Sequence, residues 1–416
     1  MNLRHSRVAR VVFALLAIAA CLFLMRATAR IGFSRLLTRY ALGTTSLNNA
    51  LAAADQAIQL TPSDPDAHRA RATVLNRFGR QAEAAQSLEI ATTLRPLHAA
   101  QWLELGTTRD ALADSEGALA AFDQAVRCAP YYGEIHWQRG NLLLRLQHYD
   151  QAFTDLRQAA ASNRKFLPSL IDLAWSLTKG DAKQTAALLQ ISNDNDRLEF
   201  ARFLANKGKG AAVVEQVGLL TAPLSDQNRR ALAGMMMAAG DFSEAYRLSS
   251  GSVRMEEIIN GSFEQPLTRD DDALGWKPSS ATAQPKLAID VSQKFDGEKS
   301  LQASFTGDWN ASAALLSQTI VVHGGQRYRL TFAVQTRDLV TGGPPRIVVT
   351  DVKSNQVLAR SDAFPQSTNG WQQMTIEFTA PQTSEAVAVS LGRDNCSSSC
   401  PIFGVVWLDA FALQKL

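Results

Sequence analysis

Three prolines, Pro62, Pro96 and Pro130, stand 34 residues apart. That period constrains this chain more than any other feature of it. The columns around the prolines agree in phase. Twelve residues before each stand Ala50, Ala84 and Ala118, with Ala152 next in the series; five before stand Ala57, Ala91 and Ala125, then Ala159. Between these alanines a bulky column reads Leu88, Phe122 and Leu156. Ten residues after each proline come Ala72, Gly106 and Gly140, and six after come His68, Trp102 and His136. A fixed period of this length means a unit that cannot bury its apolar face alone and stacks on copies of itself. Two helices cross closely only where one presents Gly or Ala, and a large residue then fills the adjoining gap. Proline stops the second helix of one unit and begins the next.

These columns resemble the tetratricopeptide repeat, a helix–turn–helix unit, most closely over 46–160. A fourth unit follows with Arg164 in the proline position, and its helices are expected at Phe166–Thr178 and Asp181–Gln190. Arg229–Ala239, Gly240 and Ala245 repeat the spacing once more. The reading is one α-solenoid over 34–250, clearest over 46–190. The resemblance implies a concave groove that holds a peptide or helix of another protein; the alternative is a spacer between a membrane and the next domain. Arg71, Asn76 and Arg109 are the candidate groove residues, although a charged helix residue is otherwise simply solvated. His68 and His136 share a column, which favours a structural role over a metal site.

Ahead of the repeats, Arg4, Arg7 and Arg10 precede an uncharged apolar run from Val11 to Met25, ended by Arg26. Fifteen helical residues reach about 22 Å, short of a hydrocarbon core of about 30 Å. Val8, Ala9 and the stems of Arg10 and Arg26 extend the run. We expect a basic cytoplasmic segment over 1–10 and a transmembrane signal anchor over 11–27. The anchor would cross a bacterial inner membrane once and leave the rest in the periplasm. Two alternatives stay open: cleavage at Ala27-Thr28-Ala29, and a lipoprotein signal at Ile18-Ala19-Ala20-Cys21. Arg30, Arg35 and Arg39 follow the run, so flanking charge alone leaves the orientation undecided.

From Glu257 the apolar period changes to two. Tyr328, Leu330, Phe332 and Val334 alternate with polar residues, as do Met374, Ile376 and Phe378, then Val387, Val389 and Leu391. Val322-His323-Gly324-Gly325-Gln326 reads as a hairpin turn. Strands near 287–293, 300–306, 314–322, 326–337, 346–352, 356–361, 371–380, 385–393 and 402–414 make an antiparallel sandwich. The whole is an α + β multidomain chain: transmembrane helix, α-solenoid, β-sandwich.

Several short motifs fall in a familiar order. Asn260-Gly261-Ser262-Phe263-Glu264, Gly275-Trp276 and Asp296-Gly297-Glu298-Lys299-Ser300-Leu301 come first. Ser317-Gln318-Thr319-Ile320, Gly325-Gln326-Arg327-Tyr328, Trp371-Gln372 and Trp407-Leu408-Asp409 follow. Over 257–416 the set resembles a jelly-roll carbohydrate-binding module of the CenC type. The resemblance implies a polysaccharide ligand and one structural calcium, held by the carboxylates of Glu264 and Asp409 with backbone carbonyls near Gly297 and Lys299. Family members often carry a second acid where this chain has Ala410, and the alternative is a carboxylate that only hydrogen-bonds the opening loop. Sugar binding needs an aromatic face ringed by amides and acids. Trp276, Trp371 and Trp407 are core residues by the family pattern, which leaves Trp309, in the polar stretch Gly307-Asp308-Trp309-Asn310, as the candidate ligand aromatic.

Composition narrows the function further. Lys+Arg 42 against Asp+Glu 39 gives +3, too weak a field to attract nucleic acid. Cys396 and Cys400 in CSSSC lack the two-residue gap of a zinc knuckle. A local disulfide is the favoured reading and two free thiols the alternative; a bridge would place this end in an oxidising compartment. There is no phosphate-cradling glycine loop with a lysine, no HExxH and no GxSxG. Asp270-Asp271-Asp272 reads as a solvated loop. The expectation is a non-enzymatic scaffold.

Overall fold

The computed structural model describes residues 3–249, 255–267, 275–279, 285–307, 309, 313–394, 396 and 400–416, with side chains described from Arg10 onward. The side chains of Arg4 and Arg7, the Asp270-Asp271-Asp272 run, Asp308 and Asn310 beside Trp309, and the serines at 397–399 lie outside the described residues. The chain divides into two compact units, one ending at Gln190 and the other beginning at Ile191.

The first unit is helical throughout. Helix α1 (Leu3–Gly43) packs its last turns on α2 (Leu47–Leu60). Then α3 (Pro65–Arg77) pairs with α4 (Gln81–Leu94), α5 (Ala99–Ala111) with α6 (Ser115–Cys128), and α7 (Gly133–Arg145) with α8 (Tyr149–Ser162). A 3-10 turn leads to α9 (Leu167–Leu177) and α10 (Ala182–Leu189). The stretch of α1 from Arg10 is long and apolar enough to cross a membrane, and its apolar window has no buried residue. The same helix runs unbroken into the repeats. Ser34 donates to the Ala57 carbonyl at 3.0 Å and Arg30 to the Leu60 carbonyl at 3.0 Å, so the far end of α1 is the first helix of the solenoid.

The repeat columns have physical counterparts. The alanines at 50, 84, 118 and 152 and at 57, 91, 125 and 159 are all fully buried. The column of small residues meets the bulky column across each helix pair. A Cβ on Gly106 would stand 2.5 Å from the Phe122 ring, and one on Gly140 2.8 Å from Leu156. Where the bulky residue is Leu88, the opposing position tolerates Ala72. The aromatic column has a different task. His68 Nε2, Trp102 Nε1 and His136 Nε2 each lie 2.8 Å from the carbonyl oxygen of the proline six residues back. The ring N–H thereby satisfies a carbonyl that the proline break leaves without a helical partner.

The second unit opens with α11 (Asp194–Asn206) on α12 (Gly210–Gly218) and α13 (Asp226–Ala238) on α14 (Phe242–Leu248). The helical series thus runs on to Leu248, but its last two pairs share a compact unit with the sandwich rather than with the earlier repeats. Among the described residues ten strands follow: β1 (Lys277–Pro278), β2 (Lys286–Asp290), β3 (Ser300–Gly307), β4 (Leu316–Val321), β5 (Arg327–Thr341), β6 (Pro345–Asp351), β7 (Val357–Arg360), β8 (Ser367–Thr379), β9 (Ala386–Arg393) and β10 (Ile402–Lys415). They form two antiparallel sheets ordered β1-β4-β9-β6-β7 and β2-β3-β10-β5-β8. Strands β4 and β5 lie in different sheets, so the glycine turn between them is a crossing from one layer to the other and not a hairpin. Gly324 and Gly325 there press on the backbone and side chain of Gln382, in the β8–β9 turn, which also changes sheet.

The core between the sheets comes from the alternating positions: Leu301, Phe332, Val334, Ile376, Val389, Leu391 and their neighbours. The opening segment is tied in by polar bonds. Gln318, nearly fully buried, exchanges two hydrogen bonds with the backbone of Ile259. Tyr328 donates to Glu256 Oε1 at 2.6 Å while its own oxygen accepts from His323 N–H at 2.9 Å. Burial alone would raise the Glu256 carboxyl, but Tyr328, His323 and Lys415 hold it below its ordinary value.

The small–large pairing is directly testable. A helical Gly→Ala change ordinarily stabilises by about 1 kcal/mol. Gly106→Ala should instead destabilise, by about 1–3 kcal/mol, through overpacking against Phe122. Adding Phe122→Leu recreates the Ala72–Leu88 pair and should recover most of the loss. Gly234→Ala, where a Cβ meets nothing within 4 Å, should be neutral or stabilising. Urea melts compare the variants, and a neutral Gly106→Ala would show that the ring simply moves aside.

Candidate functional site

The candidate groove residues are already engaged within the solenoid. Arg71 reaches Asp55 on α2 at 2.8 Å and Ser87 on α4 at 2.8 Å. Two repeats on, Arg139 repeats this clamp with Asp123 on α6 and Asp155 on α8, at 2.7 and 2.6 Å. Its hydrogen bonds to Asp155 hold the guanidinium above its ordinary pKa. Arg109 pairs with Glu89 at 2.7 Å, and Asn76 donates to Thr108 at 2.8 Å. These side chains bind helix to helix. An open groove of about 610 Å³ does lie along α6, α7 and α8, lined among others by Leu119, Leu143, Asp123, Asp150 and Asp155.

In the sandwich, the residues assigned to calcium converge on the loop 295–299, but as acceptors of N–H groups. Glu264 Oε1 accepts from Glu298 N–H at 2.7 Å and Lys299 N–H at 3.1 Å, and the Lys299 ammonium donates to the Glu264 carbonyl at 2.6 Å. Gly297, at φ +65°, leaves room for that carboxylate: a Cβ there would stand 2.2 Å from Oε1. Asp409, fully buried, accepts from Phe295 and Asp296 N–H at 2.8 and 3.0 Å and from Ala410 N–H at 2.7 Å. Burial pushes its carboxyl up against those three donors. Calcium needs six to eight oxygens. Here three carboxylate oxygens face N–H groups, a lysine ammonium stands beside one candidate ligand, and among the described residues no three His, Cys, Asp or Glu side chains cluster as a metal site would. This donor set does not fit calcium. Glu264 and Asp409 instead clasp the first segment and the last strand to one loop.

Trp309 requires a second correction. It is 4% exposed, stacks on Phe305 at 5.4 Å, and donates its indole N–H to the Ala313 carbonyl at 3.0 Å. Arg393 lies over its ring, 5.6 Å from the centroid. No face is left for a sugar, because the ring fills the end of the core. The Cys396 and Cys400 sulfurs are bonded, with Cα atoms 5.6 Å apart.

A different surface has the composition a glycan needs. Trp407 pairs with Gln302 on β3 and Gln335 on β5, and cross-strand partners share a face. Its neighbours Val406 and Leu408 point into the core, so Trp407 stands on the outer face of the β2-β3-β10-β5-β8 sheet. It is buried there because the Arg337 guanidinium covers it, 4.7 Å from the ring centroid. Its indole N–H donates to Asp290 at 2.7 Å, and Gln335 Oε1 is enclosed without a partner. Burial would raise Asp290, yet bonds from Ser292 and Trp407 hold it below its ordinary value. Along β10 the same face carries Phe403, 50% exposed, and at the other side Trp371 packs with the exposed Phe295 at 5.9 Å.

Residues 256–393 match the family model of a carbohydrate binding domain. That stretch takes in β1 to β9 of this sandwich. In the curated comparison, 101 residues are 29% identical to Protein FlbA of Caulobacter vibrioides, covering 24% of this chain and 17% of that protein. Another 29% match over 85 residues is to the heat-shock protein cognate co-chaperone sgt12 of Aspergillus fumigatus, 20% of this chain and 25% of that one. The chain therefore spans a quarter or less of the length of these relatives. Among solved structures, MamA 41-end from Desulfovibrio magneticus RS-1 is 17% identical with a TM-score of 0.35, covering 39% of this chain and 92% of that one. The Sgt2 TPR domain from Aspergillus fumigatus is 21% identical with a TM-score of 0.27, covering 28% and 82%. A helical series with a 34-residue period thus precedes, in one chain, a sandwich of which residues 256–393 match a carbohydrate binding domain.

Sequence reasoning missed Gln302, Gln335, Arg337 and Asp290. Each occupies the polar phase of a strand whose apolar phase was recognised, but only the placement of β10 between β3 and β5 brings them together. The clasp makes its own prediction. Chelator should leave the melting temperature of the full chain unchanged. Asp409→Ala should lower its stability by about 1–3 kcal/mol, the cost of orphaned buried N–H groups, equally with and without calcium. A fall in melting temperature on chelation of the wild type would show that loop 295–299 opens to ligate a cation.

Proposed function

We propose that this protein is a membrane-anchored, non-catalytic scaffold that holds a protein partner through its helical repeats and a polysaccharide through its β-sandwich. The observation that carries the sugar half is the outer face around Trp407. It combines a large indole, two glutamines, an aspartate and an arginine on the exposed side of a five-stranded sheet within a domain that matches a carbohydrate-binding family. A pyranose would stack on the indole by displacing the Arg337 guanidinium, and Gln335, Gln302 and Asp290 would meet its hydroxyls. The groove along α6, α7 and α8, lined by Leu119, Leu143 and the exposed Asp150 beside the Arg139 clamp, supports a partner segment.

Assembly or export of an exopolysaccharide or cell-envelope polysaccharide is the setting that accommodates an anchor, a protein-binding series and a glycan-binding sandwich in one chain. In this reading α1 is a single-pass anchor in a bacterial inner membrane and the chain that follows the anchor lies in the periplasm. The disulfide supports that side. A second reading, a purely structural protein–protein adaptor, draws on the burial of Trp309 and the capping of Trp407.

Affinity electrophoresis of the detergent-solubilised full chain through a panel of soluble polysaccharides separates the two. At least one glycan should retard it, and Gln302→Ala with Gln335→Ala should weaken that binding about tenfold or more, at about 1 kcal/mol per lost hydrogen bond. No retardation on any polymer would favour the adaptor. The topology has its own check: a reporter active only in the periplasm, fused after Leu416, should be active, and activity of a cytoplasm-only reporter there would overturn it.

A further inference from the structure

Arg393, near the end of β9, is 6% exposed and carries a full positive charge with no carboxylate partner among the described residues. Its guanidinium donates to the carbonyls of Gly343 at 3.1 Å and Trp309 at 3.3 Å and to the Thr341 hydroxyl at 2.8 Å. It also lies over the Trp309 ring, 5.6 Å from the centroid, and donates to Cys400 Sγ at 2.9 Å. Burial lowers the Arg393 pKa, the direction expected of a desolvated cation that only neutral groups compensate. Two further charged side chains of these elements, Arg346 and Asp394, are paired with each other. A buried cation without a counter-anion is costly, and one change in its surroundings would provide the anion: conversion of Cys400 to a thiolate.

The turn after β5 presents both sulfurs to this environment. A Cβ on Gly342 would stand 3.2 Å from Cys396 Sγ, and one on Gly343 would stand 3.1 Å from Cys400 Sγ. Glycine backbone alone therefore lies against the bridge on that side. Both cysteines are half-exposed, within reach of an incoming thiol.

We propose that Cys396–Cys400 is a thiol-exchange site, poised by Arg393, whose partner is an external thiol or protein dithiol. An incoming thiolate attacks Cys396 Sγ, forming a mixed disulfide there. The Cys396–Cys400 bond breaks and its electron pair leaves on Cys400, where Arg393 stabilises the thiolate. A second external thiolate then attacks the external sulfur of the mixed disulfide. It releases Cys396 as a thiolate that takes a proton from water, and the two external thiols depart as a disulfide. Two electrons pass from them to the bridge. The direction of attack follows from the leaving group, because the sulfur whose thiolate is better stabilised leaves faster.

The test uses the full chain in detergent. Oxidised protein exposed briefly to reduced glutathione, then quenched and digested, should carry glutathione on Cys396; glutathione on Cys400 overturns the assignment. In fully reduced protein, the pH midpoint of Cys400 alkylation should lie at least one unit below an ordinary thiol value of about 8.5. It should rise by a unit or more in Arg393→Gln, which is about a tenfold loss of thiolate at pH 6.5. Arg393→Lys should retain most of the depression. A wild-type midpoint at or above the ordinary value, or one that Arg393→Gln leaves unmoved in a protein that still melts cooperatively, overturns the proposal. If Arg393→Gln does not fold, the wild-type midpoint and the Arg393→Lys comparison decide it.

Discussion

Two successive repeats in the first unit close at a point where one helix presents only a glycine. Gly106 and Gly140 bring their backbones against Phe122 and Leu156 at distances no Cβ permits, and the buried alanine columns surround that contact. The size of one residue therefore dictates the size of its partner. The Ala72–Leu88 pair and the Gly106–Phe122 pair are two solutions of one volume constraint, 34 residues apart. The rest of the repeat follows from this closure. The helix crossing positions the proline break, the break exposes a carbonyl, and a ring N–H from the next helix satisfies it in three successive units. His68 and His136 thus stand in a column with a tryptophan because all three present a ring nitrogen to the proline carbonyl, and His136 Nδ1 also faces the Asp155 carboxylate at 2.9 Å.

The sandwich depends on a different constraint. Strand β10 lies in the middle of a sheet, between β3 and β5, so that sheet is complete only once β10 has entered it. Asp409 on that strand and Glu264 near the domain's start both draw on N–H groups of the loop 295–299. The loop thereby couples the first segment to the last strand through two anion-to-amide clasps. A cation in the same place would have to compete with five backbone N–H dipoles already satisfied by those carboxylates. Ala410, at φ +51°, marks the strained step by which β10 bulges beside that anchor.

Periodicity exposed most of this architecture before any coordinates. The 34-residue columns located the helix pairs, and the two-residue alternation of β5, β8 and β9 located both the strands and their inward faces. What escaped were facts that no local pattern carries. The Gly324-Gly325 turn has hairpin chemistry, yet its strands pair with other partners, because turn residues specify chain reversal and not which sheet receives the next strand. Trp309 sits among polar neighbours and still closes the core, because an indole in a loop goes wherever the sandwich end leaves a gap. Trp407 was legible as buried but not as outward-facing. Its burial comes from Arg337, on a strand that is distant in sequence and adjacent in space.

The positions that carry chemistry are therefore the ones that break a local rule at an identifiable cost. A tryptophan on an outer sheet face needs a cover, and Arg337 provides one while remaining exposed itself. A glutamine oxygen enclosed without a partner is a hydrogen-bond acceptor waiting for a hydroxyl, and Gln335 is on the same face. A buried guanidinium among carbonyls lacks an anion, and Arg393 lies against a sulfur that becomes one on reduction. By contrast the arginines of the solenoid, Arg71 and Arg139, break no rule: each is matched to acceptors on the two helices it joins, and each is accounted for by the stacking of repeats.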